Sequence, residues 1–421
     1  MIVAMVILWY GIVPLAGAVI QRGKWRKFRR RFDELRLKPV LNYSVYRQID
    51  GRGRDRAAEG GVFRFTGGFE SITDGKTLWI QGEDLTVPVF LGDDQTWLLP
   101  MQEGEGQPES FDPGEEAPER VRWDRISSLT EGARVFAGGP LVFRDGRWSF
   151  VSTKENPLMV IFYDGPDSLL TTRAIRAGRQ RNEYWNPATP YSLIAGALCQ
   201  ILIAIAFLNR PAYRLTVVTA LVALFIPLFP LIPPGLLFTV LYRRFSWRAC
   251  ILRAYRDLVR LPLRGLNRKT HGDNSLDETV YESVLLPGGE RYGCVRCNSL
   301  PPAAREGKIP FLLPEYSKGR PKGDWYIFGA IKQPEDLQPG DDEDQYGTKP
   351  GPVVAAPPVP DGLPVQPEDP FAVYGIIHGR PELLARRYGL TAYTLEIISW
   401  IVLLAGIGLN VFFLRMILLL I

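Results

Sequence analysis

Four long apolar stretches constrain this chain more than any other feature: Ile2–Ile20, Tyr191–Leu208, Leu215–Leu241 and Tyr393–Leu414. Each meets or approaches the ~20 residues that a helix needs to cross a hydrocarbon core ~30 Å thick. They predict an integral membrane protein. In 421 residues, 46% of them apolar, there is room for four spans and two modest soluble domains.

Basic residues are distributed unevenly about these stretches. Arg22, Lys24, Arg26, Lys27, Arg29, Arg30 and Arg31 follow the first, and nothing basic precedes it. A cleavable secretory signal has the opposite arrangement, so this stretch is expected to be an uncleaved anchor. Lysine and arginine stay on the cytoplasmic side, which puts the chain after Ile20 inside. The other flanks agree. Arg173, Arg176, Arg179 and Arg181 precede the second stretch, and only Arg210 and Arg214 lie in the short connection to the third. Arg243, Arg244, Arg248, Arg253, Arg256, Arg260, Arg264, Arg268 and Lys269 follow the third, and Arg380, Arg386 and Arg387 precede the fourth. The expected topology is a multi-pass cell-membrane protein with both termini outside and both soluble segments cytoplasmic.

The third stretch carries Pro227, Pro230, Pro233 and Pro234 in its second half, where proline removes backbone donors and kinks a helix. A kinked span preserves the charge agreement. A shallow re-entrant hairpin is the alternative, and it would reverse the side of everything after it.

Residues 62–165 read as β. Val62–Ile72, Thr77–Gln81, Thr86–Leu91, Gly132–Phe143 and Pro157–Tyr163 are rich in β-branched and aromatic residues, with Asp-Gly turns at 74–75 and 145–146. With a short helix at Trp123–Leu129, the order is three strands, a helix and two strands, that of a five-stranded Greek-key barrel. The run FRFTGGFESITDGKTLWIQGEDLTVPVFLG resembles the opening of OB-type barrels, in which a glycine in the first strand permits strong coiling. GARVFAGGPLVFRDGRWSF resembles the fourth strand of such a barrel and its hairpin. The resemblance implies a fold and no ligand.

The expected organisation is an anchor over 1–21, a basic juxtamembrane segment over 22–61, the OB-like domain over 62–165 and a helical lead-in over 166–190. Spans follow over 191–208 and 215–241, then a basic amphipathic helix over 242–268. A second β-rich domain over 273–380 precedes the last span, 393–414. Its candidate strands are Thr279–Leu286, Arg291–Val295, Ile309–Leu313, Trp325–Ile331 and Phe371–Ile377. The Pro-, Gly- and acid-rich run 333–369 reads as a disordered insertion. Pro157-Leu-Met-Val160 before the second span and Pro370-Phe-Ala-Val373 before the fourth hint at an internal duplication.

Cys294-Val-Arg-Cys297 is the one local motif with chemical meaning. Such a pair supplies half of a tetrahedral zinc site, with His271 and His378 as the remaining histidines, or a redox dithiol, or plain structural thiols. Nucleic-acid binding is excluded by charge: residues 62–165 hold 9 Lys or Arg against 18 Asp or Glu, a surface that repels phosphates. The spans are almost free of ionisable groups, Glu396 excepted, so no charged transport pathway is expected. Ala405, Gly406 and Gly408 offer a small-residue face for packing against other spans or a partner's.

Two basic strips are expected at the membrane surface, facing anionic headgroups: Arg26, Lys27, Arg29, Arg30 and Arg31 after the first span, and Arg248, Arg253, Arg256 and Arg260 after the third. On Phe245–Leu263 Arg248, Arg253, Arg256 and Arg260 share one side, and Trp247, Ile251, Leu252, Tyr255, Leu258 and Val259 the other. That pattern, continuing directly from a span, predicts an interfacial helix lying along the inner leaflet; packing on the second β domain is the alternative. Large soluble domains without a catalytic constellation point to a non-enzymatic scaffold or adaptor binding protein partners. A regulatory or assembly subunit of a membrane enzyme or transporter, and a metal-dependent or redox protein using Cys294 and Cys297, are the alternatives.

Overall fold

A computed structural model describes residues 1–51, 59–74, 76–91, 96–99, 119–121, 133–144, 146–179, 183–231, 235–270, 279–286, 289–313, 324–331 and 363–420. Three of its helices are long and apolar enough to cross a membrane: α1 (Ile2–Arg36), α4 (Ala188–Leu208), and the first part of α7 (Pro381–Leu420), over Pro381–Asn410. Their outward faces expose Ile12, Val19, Leu198, Leu202, Ile205 and Leu404, an apolar surface that only lipid or another span covers favourably. Between α4 and α7 lie α5 (Arg214–Ala223) and α6 (Gly235–Arg264).

The third apolar stretch is not one helix. It breaks after α5 into a 3₁₀ segment, Ile226–Leu231, and resumes as α6 at Gly235. The clustered prolines account for the break, because Pro227 and Pro230 withdraw two backbone donors within one turn. Beyond the break α6 runs antiparallel to α7: an added Cβ at Gly406 would lie 2.5 Å from Phe238 Cβ, and the Tyr242 and Trp400 rings are 5.8 Å apart. Gly406 is thus consumed inside the chain, while Ala405 and Gly408 face outward.

The first β unit closes. Strands β1 (Glu59–Thr73), β2 (Thr77–Gln81), β3 (Thr86–Phe90), β7 (Arg147–Phe150) and β6 (Arg134–Arg144) form a ring in that order, sealed by β1 against β6. Pairing is antiparallel except between β3 and β7, where Val89 faces Phe150. Gly67 makes the tight coil possible, since a Cβ there would come within 2.2 Å of the Gln81 carbonyl oxygen. The two turns differ in detail: Asp74 takes φ 53° and Gly146 φ 81°. Leu78, Ile80, Val87, Val89, Leu141 and Phe150 fill the interior.

One strand expected in the ring lies elsewhere. The fifth barrel strand is β7, and β8 (Met159–Tyr163) extends the sheet outside the ring, between β6 and β4 (Thr96–Leu99), with β5 (Glu119–Val121) at the edge. At eleven residues, β6 is long enough to serve both: one edge pairs β1 from Arg134 to Val142, and the other pairs β8 from Arg134 to Gly138 and β7 from Leu141 to Arg144. The helix expected at 123–129 lies outside the described residues. A short helix, α2 (Tyr43–Gly51), closes one end of the barrel, with Val45, Tyr46 and Ile49 against its core. Asn42 caps α2 by accepting the Val45 backbone N–H at 2.9 Å.

The second β unit stays open. Strands β11 (Val284–Leu285), β12 (Arg291–Cys297), β13 (Trp325–Ala330) and β14 (Gly375–His378) form an antiparallel sheet in chain order, beside a ribbon of β9 (Asn267–Thr270) and β10 (Thr279–Glu282). Residues 309–313 make only a bridge, Phe311 to Ile376. The end of the expected disordered insertion is built in: Val365 bridges Ala330, and Asp369 ion-pairs with Arg64. Residues 333–362 lie outside the described set.

Both units lead into a helix in the same way. β8 is followed by Gly165 at φ 87°, Pro166 and α3 (Asp167–Arg176), and β14 by Gly379 at φ 80° and α7, which starts at Pro381. The halves then diverge, because α3 and α4 are separate helices whereas α7 runs unbroken for 40 residues.

Candidate functional site: an arginine-lined cavity at the ends of the apolar helices

The two basic strips, more than 200 residues apart in sequence, meet around one cavity of about 390 Å³. From α1 come Arg22, Arg26, Arg29 and Arg30, and from α6 Arg253, Arg256, Arg260 and Arg264. Arg179 and Glu183, between α3 and α4, and Glu396 of α7 complete the charged wall, with Asp257 of α6. Nine arginines therefore face three carboxylates.

Helical periodicity assembles each wall. Arg22, Arg26 and Arg29 recur at four and three residues, so they line one face of α1. Phe28, Phe32 and Leu35 form a neighbouring stripe that buries against Phe136, Ile161 and Tyr163 on the outside of the first sheet. Alpha-helix α6 repeats the device: Arg253, Arg256, Arg260 and Arg264 share one face, while Tyr255 and Val259 enter the core of the second β unit with Tyr292, Phe328 and Ile377. The apolar face of 245–263 is thus covered by protein, not by a leaflet. Its periodicity fits either surface equally well, and the expectation of a leaflet rests only on the segment's continuity with a span. Gly178, at φ 74°, seats the indole of Trp25, which a Cβ there would overlap at 2.1 Å.

At the membrane end of the cavity four charged residues interlock. Arg22 pairs with Glu183 and, at 2.8 Å, with Glu396, and Arg253 pairs with Glu396 at 3.3 Å and Glu183 at 3.9 Å. The cluster joins α1, the entry to α4, α6 and α7. Glu396 is accordingly held by two arginines from other helices. Deeper in the soluble part, Arg179 pairs with Asp257, which also takes Arg256 at 2.8 Å. Burial would raise the Asp257 carboxyl, but Arg179 and Arg256 outweigh it and hold the group below its ordinary range.

The remaining arginines are satisfied less fully. Arg30 pairs with Glu34 and Arg264 with Asp33. Arg26, Arg29 and Arg260 have no carboxylate partner among the described residues. Arg29 donates from Nη1 to the Ala177 carbonyl at 2.7 Å, a neutral acceptor. Of the residues expected at the membrane surface, Lys27, Arg31 and Arg248 do not line the cavity; Arg31 donates to the Pro157 carbonyl at 2.8 Å, and Lys27 and Arg248 are exposed. Glu183 and Asp257 escape a sequence reading, and nothing local shows that Arg22, Arg179 and Arg264, legible only as basic flanks, face them.

Cys294 and Cys297 both lie on β12, three residues apart. Side chains alternate across a strand, so an odd spacing points them to opposite faces. Cys294 borders the core that Tyr255 and Val259 enter, and Cys297 a separate cluster around Trp325 and Ile376. The two thiols therefore cannot share a zinc ion or close a disulfide without breaking the strand. No group of three or more His, Cys, Asp or Glu suited to a metal occurs among the described residues, and His271 lies outside them. Burial, with Glu382 and Cys297 nearby, pushes the Cys294 thiol well above its ordinary range, away from the thiolate that metal or redox chemistry needs.

Comparison with known proteins finds no matching family model and no matching curated protein.

Proposed function

We propose that the chain is a non-enzymatic membrane scaffold. It crosses the membrane four times, the broken segment α5–3₁₀–α6 being the third crossing. Both termini lie outside, and both β units stand at the cytoplasmic surface to hold protein partners in a fixed relation to it.

The observation that carries this reading is a buried clamp of two arginines. Arg36, 3% exposed, donates to Asp33 at 2.7 Å, to the Leu261 carbonyl at 3.0 Å and to the Phe371 carbonyl at 3.2 Å. It ties together the ends of α1 and α6 and the strap leading into β14. Arg64, 2% exposed, pairs with Asp369 on that strap and donates to the Lys38 carbonyl at 2.8 Å. Phe371 then packs within the first unit's outer core, 5.4 Å from Phe136 between ring centroids, under the Arg64 guanidinium. Burying two guanidinium groups is costly unless every donor is matched. Fixed orientation is what that outlay supports, and it suits a platform better than a mobile tether.

Two measurements test the reading. Single cysteines at Ser71 and Pro211 should label from the inside and outside respectively; outside labelling at Ser71 would sink the topology. Cross-linking in the native membrane should recover a partner that is lost in the Asp369→Ala variant. Recovery of no stable partner, or of the same partner at the same yield from that variant, would count against a scaffold.

A further inference from the structure

We propose that the arginine-lined cavity binds the phosphate of a membrane-lipid headgroup, and specifically a phosphomonoester such as that of phosphatidic acid. The inference rests on the membrane placement above, which the Ser71 and Pro211 labelling tests separately.

Three observations converge. The first is charge: helices α1 and α6 bring nine arginines to one space that three carboxylates line. Like charges so close repel unless an anion joins them. Arg26, Arg29 and Arg260 are left without carboxylate partners among the described residues, and they belong to opposite walls. The second is chemistry: guanidinium groups present paired N–H donors in a planar fork that matches phosphate oxygens, so a cluster of arginines without lysine suits phosphate better than a diffuse counter-ion cloud. The third is level. The Arg22–Glu183–Glu396–Arg253 cluster caps the cavity where α1, α4 and α7 leave their apolar stretches, the depth at which lipid phosphates lie. Trp25 stands in the same wall, as interfacial tryptophans do.

The excess charge favours a group that carries more than one negative charge. A phosphodiester lipid brings one charge, whereas a phosphomonoester brings up to two and three acceptor oxygens. At about 390 Å³ the cavity has room for a headgroup, at the lower end of the range for ligand sites.

The full-length chain, reconstituted in nanodiscs of phosphatidylcholine doped with phosphatidic acid or with phosphatidylserine, gives the test, with retained lipid read by native mass spectrometry. Phosphatidic acid should bind about tenfold or more tightly than phosphatidylserine, and Arg29→Gln and Arg260→Gln should each weaken it about tenfold. Arg248→Gln, which removes an exposed arginine of the same strip outside the cavity, should change retention by less than about twofold. Inorganic phosphate should not displace the lipid. Equal retention of the two lipids, or equal losses in Arg248→Gln and Arg260→Gln, would mean diffuse surface charge and would overturn the proposal. Phosphate binding without lipid retention would overturn the lipid as the source. Arg260 is exposed, so its variant is expected to fold and decides the matter even if Arg29→Gln does not.

Discussion

In the barrel, Leu78, Ile80, Val87, Val89 and Phe150 bury against one another inside a ring of strands. In the second β unit, Phe328 and Ile377 bury against Tyr255 and Val259 of α6 and Ala385 and Tyr388 of α7. One sheet encloses its own core, and the other completes its core with helices, one of which, α7, is long and apolar enough to cross a membrane. Strand length explains much of the contrast. The fifteen residues of β1 and eleven of β6 can coil and close on each other, whereas no strand of the second sheet exceeds seven. The second unit is therefore not a self-contained domain. Its stability is coupled to the placement of α6 and α7, and the opposite face of α6 forms a wall of the arginine cavity.

The sharpest way to break the contrast is to place a charge on each side of it. Val259→Asp puts a carboxylate at a fully buried position of α6, facing the second sheet. An unpaired buried charge costs several kcal/mol, ~4 or more, enough to unfold a unit of this size. Hydrogen exchange should then show β12–β14 exposed while β1–β3 and β6 stay protected. Loss of protection in both units would mean that the barrel, too, leans on α6.

Asp369→Ala probes the seam between the units. It leaves Arg64 buried with only a carbonyl to bond, and breaking one side of a buried pair costs ~3–5 kcal/mol. Each unit should keep its own core, but the strap 363–371 should become accessible to protease. A replacement of both partners by apolar residues, Arg64→Met with Asp369→Leu, should recover much of the loss.

Gly67→Ala acts on the barrel alone. The new methyl meets backbone, the Gln81 carbonyl, which cannot swing aside, so a cost of ~1–3 kcal/mol is expected in thermal unfolding of the barrel. The same change at Gly408, where nothing lies within 4 Å, should leave stability unchanged or slightly raised.

How much of this is legible in sequence follows from how local each feature is. Spans α1, α4 and α7 are runs of composition, and strands β2 and β3 are alternations with turn residues beside them, so both emerge directly. The ring's fifth strand does not, because Met159–Tyr163 is the more hydrophobic candidate and its five buried residues mark a two-sided sheet position, not a barrel wall. The prolines at 227–234 announce a distortion but not whether a helix bends or stops. The cavity is half legible: arginines spaced along α1 and α6 show two charged faces, yet that these faces oppose each other depends on α6 turning its apolar side to the second sheet. Arg179 and Glu183 lie in an irregular connection where no periodicity points anywhere. The same limit explains Cys294 and Cys297, whose spacing suggests a chelating turn until the residues are found on a strand.

The smallest expected effect tests that last point. Because the thiols face opposite sides of β12, Cys294→Ser and Cys297→Ser should act independently, and the double variant should equal the sum of the singles within ~0.3–0.5 kcal/mol. Cys294 borders the core shared with α6, so its substitution should be the more costly of the two, on the order of 1 kcal/mol. A shared metal or disulfide would instead make the second substitution cost almost nothing after the first. The pH dependence has a definite sign. With the folded thiol of Cys294 raised above its ordinary value of 9.0, its contribution is intact below that pH and is lost as pH rises beyond it, since only the unfolded chain then releases the proton freely. Wild type should therefore lose more stability than Cys294→Ser between pH 8 and pH 10, measured by unfolding of the second unit. An identical slope for the two would place the Cys294 thiol in water, and with it the edge of the core that distinguishes the open sheet from the closed one.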